Sequence, residues 1–375
     1  MKIGIDARAS RWYRGTGIGT YTYQLISSLN RTDKSNSFLV FMPQDTNYDI
    51  NLNDNFHTKY ITQNIKNNFW DEVNIPNILK GEDIELYHVP QNGIGLPSYK
   101  ECRFVITLHD VIPYRMPHTV GERYMKIFTD EIPRIIPLCD GIITVSEFSK
   151  QDIIKTFNYP SQKIFVTHLA AEDIYHPLNK EEAKSLMKKY YSIDEDYILY
   201  VGGFSPRKNI TGLIEAFSKF KQIYKKNIKL VIAGRQGKSY DDYKKRAQEL
   251  NIESSILFAG FISVEHMPSL YCASELFVYP SFYEGFGLPP VEAMSCGVPV
   301  IASSGTSIPE VLKDGAMLID PNDTDEICSS MYAMLSDDTL KQKFILKGLV
   351  RSSELSWKET ARKTLIAYNK IINNI

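Results

Sequence analysis

Ser281-Phe-Tyr-Glu-Gly-Phe-Gly-Leu-Pro-Pro-Val-Glu-Ala-Met-Ser-Cys-Gly-Val-Pro-Val-Ile-Ala-Ser303 is the stretch that decides the fold. The apolar run Leu276–Tyr279 before it reads as a buried strand, and Val298–Ala302 as the next one. Between them lie a glycine-rich turn and a helix opened by Pro289 and Pro290, where missing N–H groups cost little. Strand, turn, helix and strand in that order predict a βαβ unit. Glu284 then sits on a loop at the carboxyl end of a strand, and Glu292 in the first turn of the helix. In open α/β sheets ligands bind at that edge. Gly285 and Gly287 let a ligand approach the backbone closely. Free N–H groups in such a turn suit anionic or hydroxyl-rich ligands. Glu292 can accept two hydrogen bonds from a vicinal diol such as a ribose, and Glu284 is placed for a second polyol. An acidic residue near a helix start also serves the macrodipole alone.

The same pattern recurs along the chain. Strands are predicted at 2–6, 38–42, 57–62, 85–89, 104–108, 141–145 and 164–168. A second series follows at 197–203, 229–233, 256–261, 276–279, 298–302 and 317–320. The runs are continuous rather than alternating, as in parallel sheets covered on both faces. Leu213, Ile214, Phe217, Phe220 and Ile223 recur at helical spacing. The expected class is α/β, a βαβ architecture repeated twice. The expected boundary, within Ala171–Leu178 and its breaker Pro177, divides the chain into domains 1–176 and 177–356. A terminal amphipathic helix within 357–375 is expected to cross back onto the first domain.

Composition narrows the function. The 375 residues carry 43 basic and 44 acidic side chains, a net charge of −1. Neither half is strongly basic, which argues against nucleic acid as a partner. The five cysteines are scattered without a Cys-x-x-Cys pair, so no zinc or redox motif is indicated. A reduced, cytoplasmic setting is the simpler expectation. No run of roughly 18 apolar residues would span a bilayer. Weak peripheral contact with the inner face of a membrane stays open.

Further motifs fall at expected strand ends. Gly15, Gly17 and Gly19 form a loop before a helix, able to cradle phosphate or merely to turn the chain. No acidic residue clearly closes the second strand to hold a ribose, although Asp45 falls nearby. In Gly202-Gly-Phe-Ser-Pro-Arg-Lys-Asn209, Asn209 can cap a helix. Arg207 and Lys208 then stand beside a positive helix end. That placement is unfavourable by about 0.3–1 kcal/mol each and points to a bound anion such as a pyrophosphate, the alternative being two solvated cations at a turn. His109 ends a strand next to Asp110 and is either a candidate for a substrate hydroxyl or phosphate or a satisfied structural residue. Gly234, Arg235 and Phe261 follow two successive strands and can line a nucleobase slot by backbone contacts. The pairs Asp194/Asp196 and Asp323/Asp325 match Asp-x-Asp, a divalent-metal motif elsewhere. Neither lies at a carboxyl strand edge, and both read as structural.

With Glu284–Glu292, Ser205–Asn209 and the N-terminal glycines, the chain resembles glycosyltransferase family 4. Leu108-His-Asp-Val-Ile-Pro-Tyr114 and Thr144-Val-Ser-Glu-Phe-Ser149 are similar to a branch rich in bacterial O-antigen, capsule and exopolysaccharide transferases, many of them mannosyltransferases. The resemblance implies the GT-B fold: two Rossmann-like, doubly wound parallel-sheet domains facing a central cleft. It implies a retaining, metal-independent enzyme whose partners are a nucleotide-diphosphate sugar and a glycan or glycolipid acceptor. No metal or other cofactor is expected. Arg207 and Lys208 would neutralise the donor diphosphate, and Glu292 would hold the ribose. Glu284, with Gly285, Phe286, Gly287 and Leu288, would contact the donor sugar. His109 would reach that sugar from the other domain, and Gly17 would approach the phosphate. Many relatives carry an Arg just after the second-domain glycine, where this chain has Gly203 and Phe204. The first guess for the donor is GDP-mannose, with UDP-glucose or UDP-N-acetylglucosamine as alternatives. Tyr114, Arg115 and His118 are the expected acceptor contacts. A non-catalytic nucleotide-sugar-binding partner is the competing class.

Overall fold

The computed structural model describes residues 1–43, 50–61, 79–235, 237 and 239–374. Asp45 and the expected strand end Thr62 lie outside these residues. The chain divides into two compact units, Met1–Leu169 with Ser356–Ile375, and Ala170–Leu355.

The first unit is built on seven parallel strands: β1 (Lys2–Asp6), β2 (Ser37–Pro43), β3 (Phe56–Ile61), β4 (Leu86–Val89), β5 (Arg103–Thr107), β6 (Gly141–Thr144) and β7 (Ile164–Val166). Their order is β3-β2-β1-β4-β5-β6-β7. The second unit has six: β8 (Tyr197–Val201), β9 (Lys229–Ala233), β10 (Ile256–Gly260), β11 (Leu276–Tyr279), β12 (Val300–Ser303) and β13 (Met317–Ile319). Their order is β10-β9-β8-β11-β12-β13. All the strand pairs are parallel. Each sheet reverses its winding once, between β1 and β4 and between β8 and β11. These are the switch points where a doubly wound sheet opens a crevice at its carboxyl edge.

The thirteen apolar runs read from the sequence all form strands, with shifts at their ends. The strand expected at 298–302 begins at Val300. Pro299 before it has no N–H to give a ladder, although its carbonyl accepts from Phe277 N at 3.0 Å.

Residues 170–176, read as the end of the first domain, lie in the second unit. Their side chains are committed there: Tyr175 packs edge-on against Tyr271 at 5.8 Å, and the His176 carbonyl accepts from Cys272 Sγ at 3.5 Å.

The terminal helix Trp357–Ile372 belongs to the first unit. Trp357, Thr360, Ala361, Thr364, Ala367, Tyr368 and Ile371 form its buried stripe. A Cβ on Gly141 would meet Ile371 Cδ1 at 2.4 Å, so the helix lies hard against β6. Tyr368 OH bonds His88 Nδ1 at 2.7 Å, His88 Nε2 bonds Thr107 Oγ1 at 2.8 Å, and Thr107 meets Tyr21 OH at 2.9 Å. Burial, and secondarily the nearby His109, lower the His88 pKa to about 3, so its ring stays neutral. Replacing Tyr368 with Phe leaves a buried ring nitrogen without its partner. The expected cost is about 1–3 kcal/mol, or roughly 2–4 °C in Tm per kcal/mol, read by thermal unfolding.

Candidate active site

At the β8/β11 switch point the second unit brings together Arg207, Lys208 and Glu284, all largely withdrawn from solvent. After β8 the chain passes through a short turn, Pro206–Lys208, into the helix Ile210–Ile223. Asn209 sits at φ +55°, and its Oδ1 accepts from Gly212 N at 3.2 Å, capping that helix. Arg207 and Lys208 do not stand in solvent. Lys208 Nζ lies 2.6 Å from Glu284 Oε1 and donates to Tyr279 OH at 2.5 Å. Arg207 Nη1 lies 3.1 Å from Glu284 Oε2 and donates to the Tyr283 carbonyl at 2.9 Å. The sequence reading looked outside the chain for the anion that offsets these cations. Part of it is internal: Glu284, brought over from the adjacent strand end. Glu284 thus engages both cations, one through each of its carboxylate oxygens.

The Glu284 loop is tied on both sides. Phe282 N donates to Arg207 O at 2.8 Å, Glu284 N to Thr306 Oγ1 at 3.2 Å, and Ser307 Oγ to Glu284 O at 2.9 Å. Gly287 has φ +93°, and a Cβ there would come within 2.6 Å of Ile308 Cδ1, so only glycine fits. Gly285 and Phe286 are buried, and Leu288 is partly exposed at the helix start. Burial by itself would raise the Glu284 pKa. The Lys208 ammonium and the Arg207 guanidinium outweigh it and hold the carboxyl at about 2.

Glu292 has the opposite electrostatics. The helix starts at Leu288, so Glu292 falls in its second turn rather than the first. It is partly buried, and Tyr271 OH donates to its Oε2 at 2.7 Å. Burial raises its pKa to about 7, and the charge of buried Glu172 adds to the rise against hydrogen bonds from Tyr271 and Tyr175. Glu172, Tyr175 and Tyr271 were not singled out in the sequence. They come from the segment after β7 and from the helix Met267–Cys272, and no local pattern points to them. Tyr279 was closer to legible, because it ends a strand at the carboxyl edge.

The remaining candidates of this unit flank the same edge. Gly234 has φ +154°, and a Cβ there would strike Gly202 O at 2.0 Å. Gly234 N donates to Gly260 O at 2.9 Å, which joins the turns after β9 and β10. Arg235 lies over the exposed Phe261 ring at 5.0 Å. Gly203 is exposed, with open space around it. Asp196 pairs with Lys184 at 2.7 Å, and Asp323 caps the helix Thr324–Ser336. Among the described residues no group of three or more His, Cys, Asp or Glu side chains is arranged to hold a metal ion.

In the first unit the glycine segment differs from its expected form. A short helix, Arg8–Trp12, intervenes after β1, and the next helix begins at Gly17. Gly17 and Gly19 are therefore first-turn residues rather than a loop before the helix. Gly15 carries φ +89°. A Cβ on Gly19 would lie 1.9 Å from Tyr13 O, whereas Gly17 has nothing within 4 Å. Gly17 is thus the open approach, and Gly19 serves close packing.

His109 is 8% exposed. Its Nε2 lies 3.0 Å from Pro90 O, and a carbonyl only accepts, so Nε2 carries the proton. Burial lowers its pKa to about 4 against that hydrogen bond. The ring is neutral at pH 7 and its Nδ1 is the acceptor nitrogen. Of the acceptor candidates, Tyr114 is packed edge-on against Phe128 and Phe157, and Arg115 is paired with Asp152 at 2.7 Å. His118 is exposed. Tyr114 thus spends its ring on the core, because Ile112–Arg115 is helical and turns it inward.

Residues 15–171 match Glycosyltransferase Family 4, and residues 184–349 match Glycosyl transferases group 1. The chain is 36% identical over 283 residues to O-antigen chain mannosyltransferase B of Escherichia coli, covering 76% of this chain and 74% of that one. Sucrose-phosphate synthase from Thermosynechococcus elongatus superposes with a TM-score of 0.77 over the full length of both chains at 19% identity. Anabaena Alr3699/HepE, solved with UDP and glucose, superposes with a TM-score of 0.74 over 99% of this chain and 100% of that one at 16% identity. At such identities these two speak for the fold, which is GT-B. The chain belongs to glycosyltransferase family 4, the retaining, metal-independent transferases that use nucleotide sugars. Among its described residues no helix is long and apolar enough to cross a membrane.

The raised pKa of Glu292 has a thermodynamic signature. Its folded value near 7 exceeds the ordinary 4.5, so the folded protein binds the extra proton. That contribution is complete below about pH 4.5 and is lost as pH rises through 7. Glu292→Gln is expected to remove this slope. Between pH 5 and 8 the variant should gain about 1–3 kcal/mol relative to the parent, measured by thermal unfolding across pH.

Proposed function

We propose that the protein transfers mannose from GDP-mannose to a hydroxyl of a glycan or glycolipid acceptor in cell-surface polysaccharide or glycoconjugate synthesis. The chief support is the 36% identity, over three quarters of each chain, to an O-antigen chain mannosyltransferase. The geometry of the second unit supports the donor half of the reaction. Arg207 and Lys208, at the strand end after β8, bind the diphosphate through their guanidinium and ammonium groups. Glu292, once ionised, accepts two hydrogen bonds from the ribose diol. Glu284 and the backbone at Phe286 and Gly287 contact the sugar. His109 accepts a hydrogen bond from a sugar hydroxyl through Nδ1. Gly234, Arg235 and Phe261 border the nucleobase.

Chemistry follows from these charges. As the C1–O bond breaks, positive charge grows on the sugar and negative charge on the leaving diphosphate. Fixed cations aimed at that oxygen supply the stabilisation. The acceptor attacks on the same face, and the leaving phosphate takes its proton. Glu284 is poorly suited to attack C1 itself. Its two oxygens are engaged by Lys208 and Arg207, and its depressed pKa makes it a weak base.

A thermal-shift series with GDP-mannose, UDP-glucose, UDP-N-acetylglucosamine and ADP-glucose tests the donor. GDP-mannose is expected to stabilise the protein, by about 2.7 kcal/mol at a hundredfold excess over Kd, with the other donors ineffective. A shift confined to UDP-sugars would overturn the mannose assignment and leave the family intact. Lys208→Ala is expected to lower turnover by about 100- to 1,000-fold, and a chelator should leave turnover unchanged. Both are read by release of free nucleotide in the presence of acceptor.

A further inference from the structure

His109 is held by more than its ring. The His109 N–H donates to Asn92 Oδ1 at 3.0 Å, its carbonyl accepts from Ser149 Oγ at 3.0 Å, and its Nε2–H reaches Pro90 O at 3.0 Å. The Tyr21 ring stands edge-on to the imidazole at 4.8 Å and 90°. Two of these contacts come from one short segment after β4, Pro90–Asn92. Asn92 is only 2% exposed and sits at φ +54°, a left-handed conformation that asparagine tolerates. Its Nδ2 donates to Tyr124 OH at 3.1 Å, which anchors it to the helix Glu122–Ile135. Next to it, Gly93 has φ +75°, and a Cβ there would fall 2.8 Å from Ile106 Cγ2. The segment is therefore wedged against β5, and Asn92 links it through its side chain to the His109 backbone.

We propose that Asn92 is a positioning residue for the transfer reaction: it fixes the His109 backbone opposite the Pro90 carbonyl, so that Nε2 keeps the proton and Nδ1 is presented only as a hydrogen-bond acceptor. The substrate group this selects is a hydroxyl donor, such as a sugar OH. A phosphate oxygen offers no proton and is refused by an unprotonated Nδ1. The His109 pKa of about 4 agrees with a ring that never becomes the two-donor imidazolium near neutral pH. Asn92 touches no substrate in this account. It acts through His109, and the inference rests on the role given to His109 under Proposed function.

Asn92→Gly tests it with little added strain, since glycine takes φ +54° freely. Turnover, donor KM and the 15N shifts of the His109 ring are measured for N92G, H109A and the double variant. The expected result is a fall in kcat of about 10- to 100-fold in N92G with donor KM unchanged. The His109 ring should lose its uniform Nε2–H tautomer, and N92G should have no further effect in the H109A background. Should N92G fail to fold, Tyr124→Phe loosens the same asparagine from its far side. It is expected to give a smaller fall in kcat, likewise absent in the H109A background. Equal losses from N92G, or from Y124F, with and without His109 would overturn the positioning role alone. Wild-type turnover in H109A would overturn that role together with the assignment of His109.

Discussion

Glu284 lies buried between Lys208 and Arg207, and the second unit's strand ends are organised around that contact. Taking a carboxylate out of water costs several kcal/mol unless partners replace its hydration. Here one oxygen meets an ammonium and the other a guanidinium. The two loops that carry these groups leave adjacent parallel strands, β8 and β11, at the point where the sheet reverses its winding. The pairing therefore fixes the spacing of the crevice mouth as well as its charge. Thr306 and Ser307, from the loop after β12, hold the Glu284 backbone from the other side.

Electrostatics divide the two glutamates that open the sequence story. They are eight positions apart, yet one carboxyl is held near 2 and the other near 7. Burial acts in the same direction on both. Cations decide the first, whereas the second has tyrosine hydroxyls and a like-charged neighbour. A carboxylate permanently ionised beside Lys208 and Arg207 keeps the two cations in place, whereas the second changes its protonation near neutral pH.

The first unit solves a different problem with the same economy. His88 and His109 are both buried and both neutral, each with its Nε2 bonded to an oxygen of a neighbouring strand or strand-end segment. Tyr368 completes the shell of His88 from the terminal helix, and Tyr21 covers His109 from the helix Gly17–Thr32. A neutral imidazole offers one donor and one acceptor. The Pro90 carbonyl settles which nitrogen is which in His109, whereas both partners of His88 are hydroxyls that can donate or accept.

Continuous apolar runs made the thirteen strands and the parallel sheets legible, because a strand buried on both faces admits few polar residues; the strand order within each sheet came from the fold. The glycine and proline punctuation of 281–303 placed Glu284 on its loop for the same local reason. The sequence also disclosed Arg207, Lys208 and His109 as strand-end residues. It could not disclose that Lys208 and Arg207 meet Glu284, since those side chains are about 76 positions apart along the chain. Nor could it find Tyr271, Glu172 or Asn92, whose importance lies in what they touch. Tyr114 shows the converse: it was read as an acceptor contact, and its ring is packed on Phe128 and Phe157 in the fold. Local pattern determines which segments become strands and which residues reach their ends. Charge state, tautomer and the choice between a free and a paired cation depend on burial and on neighbours from distant segments, and the tertiary structure alone decides them.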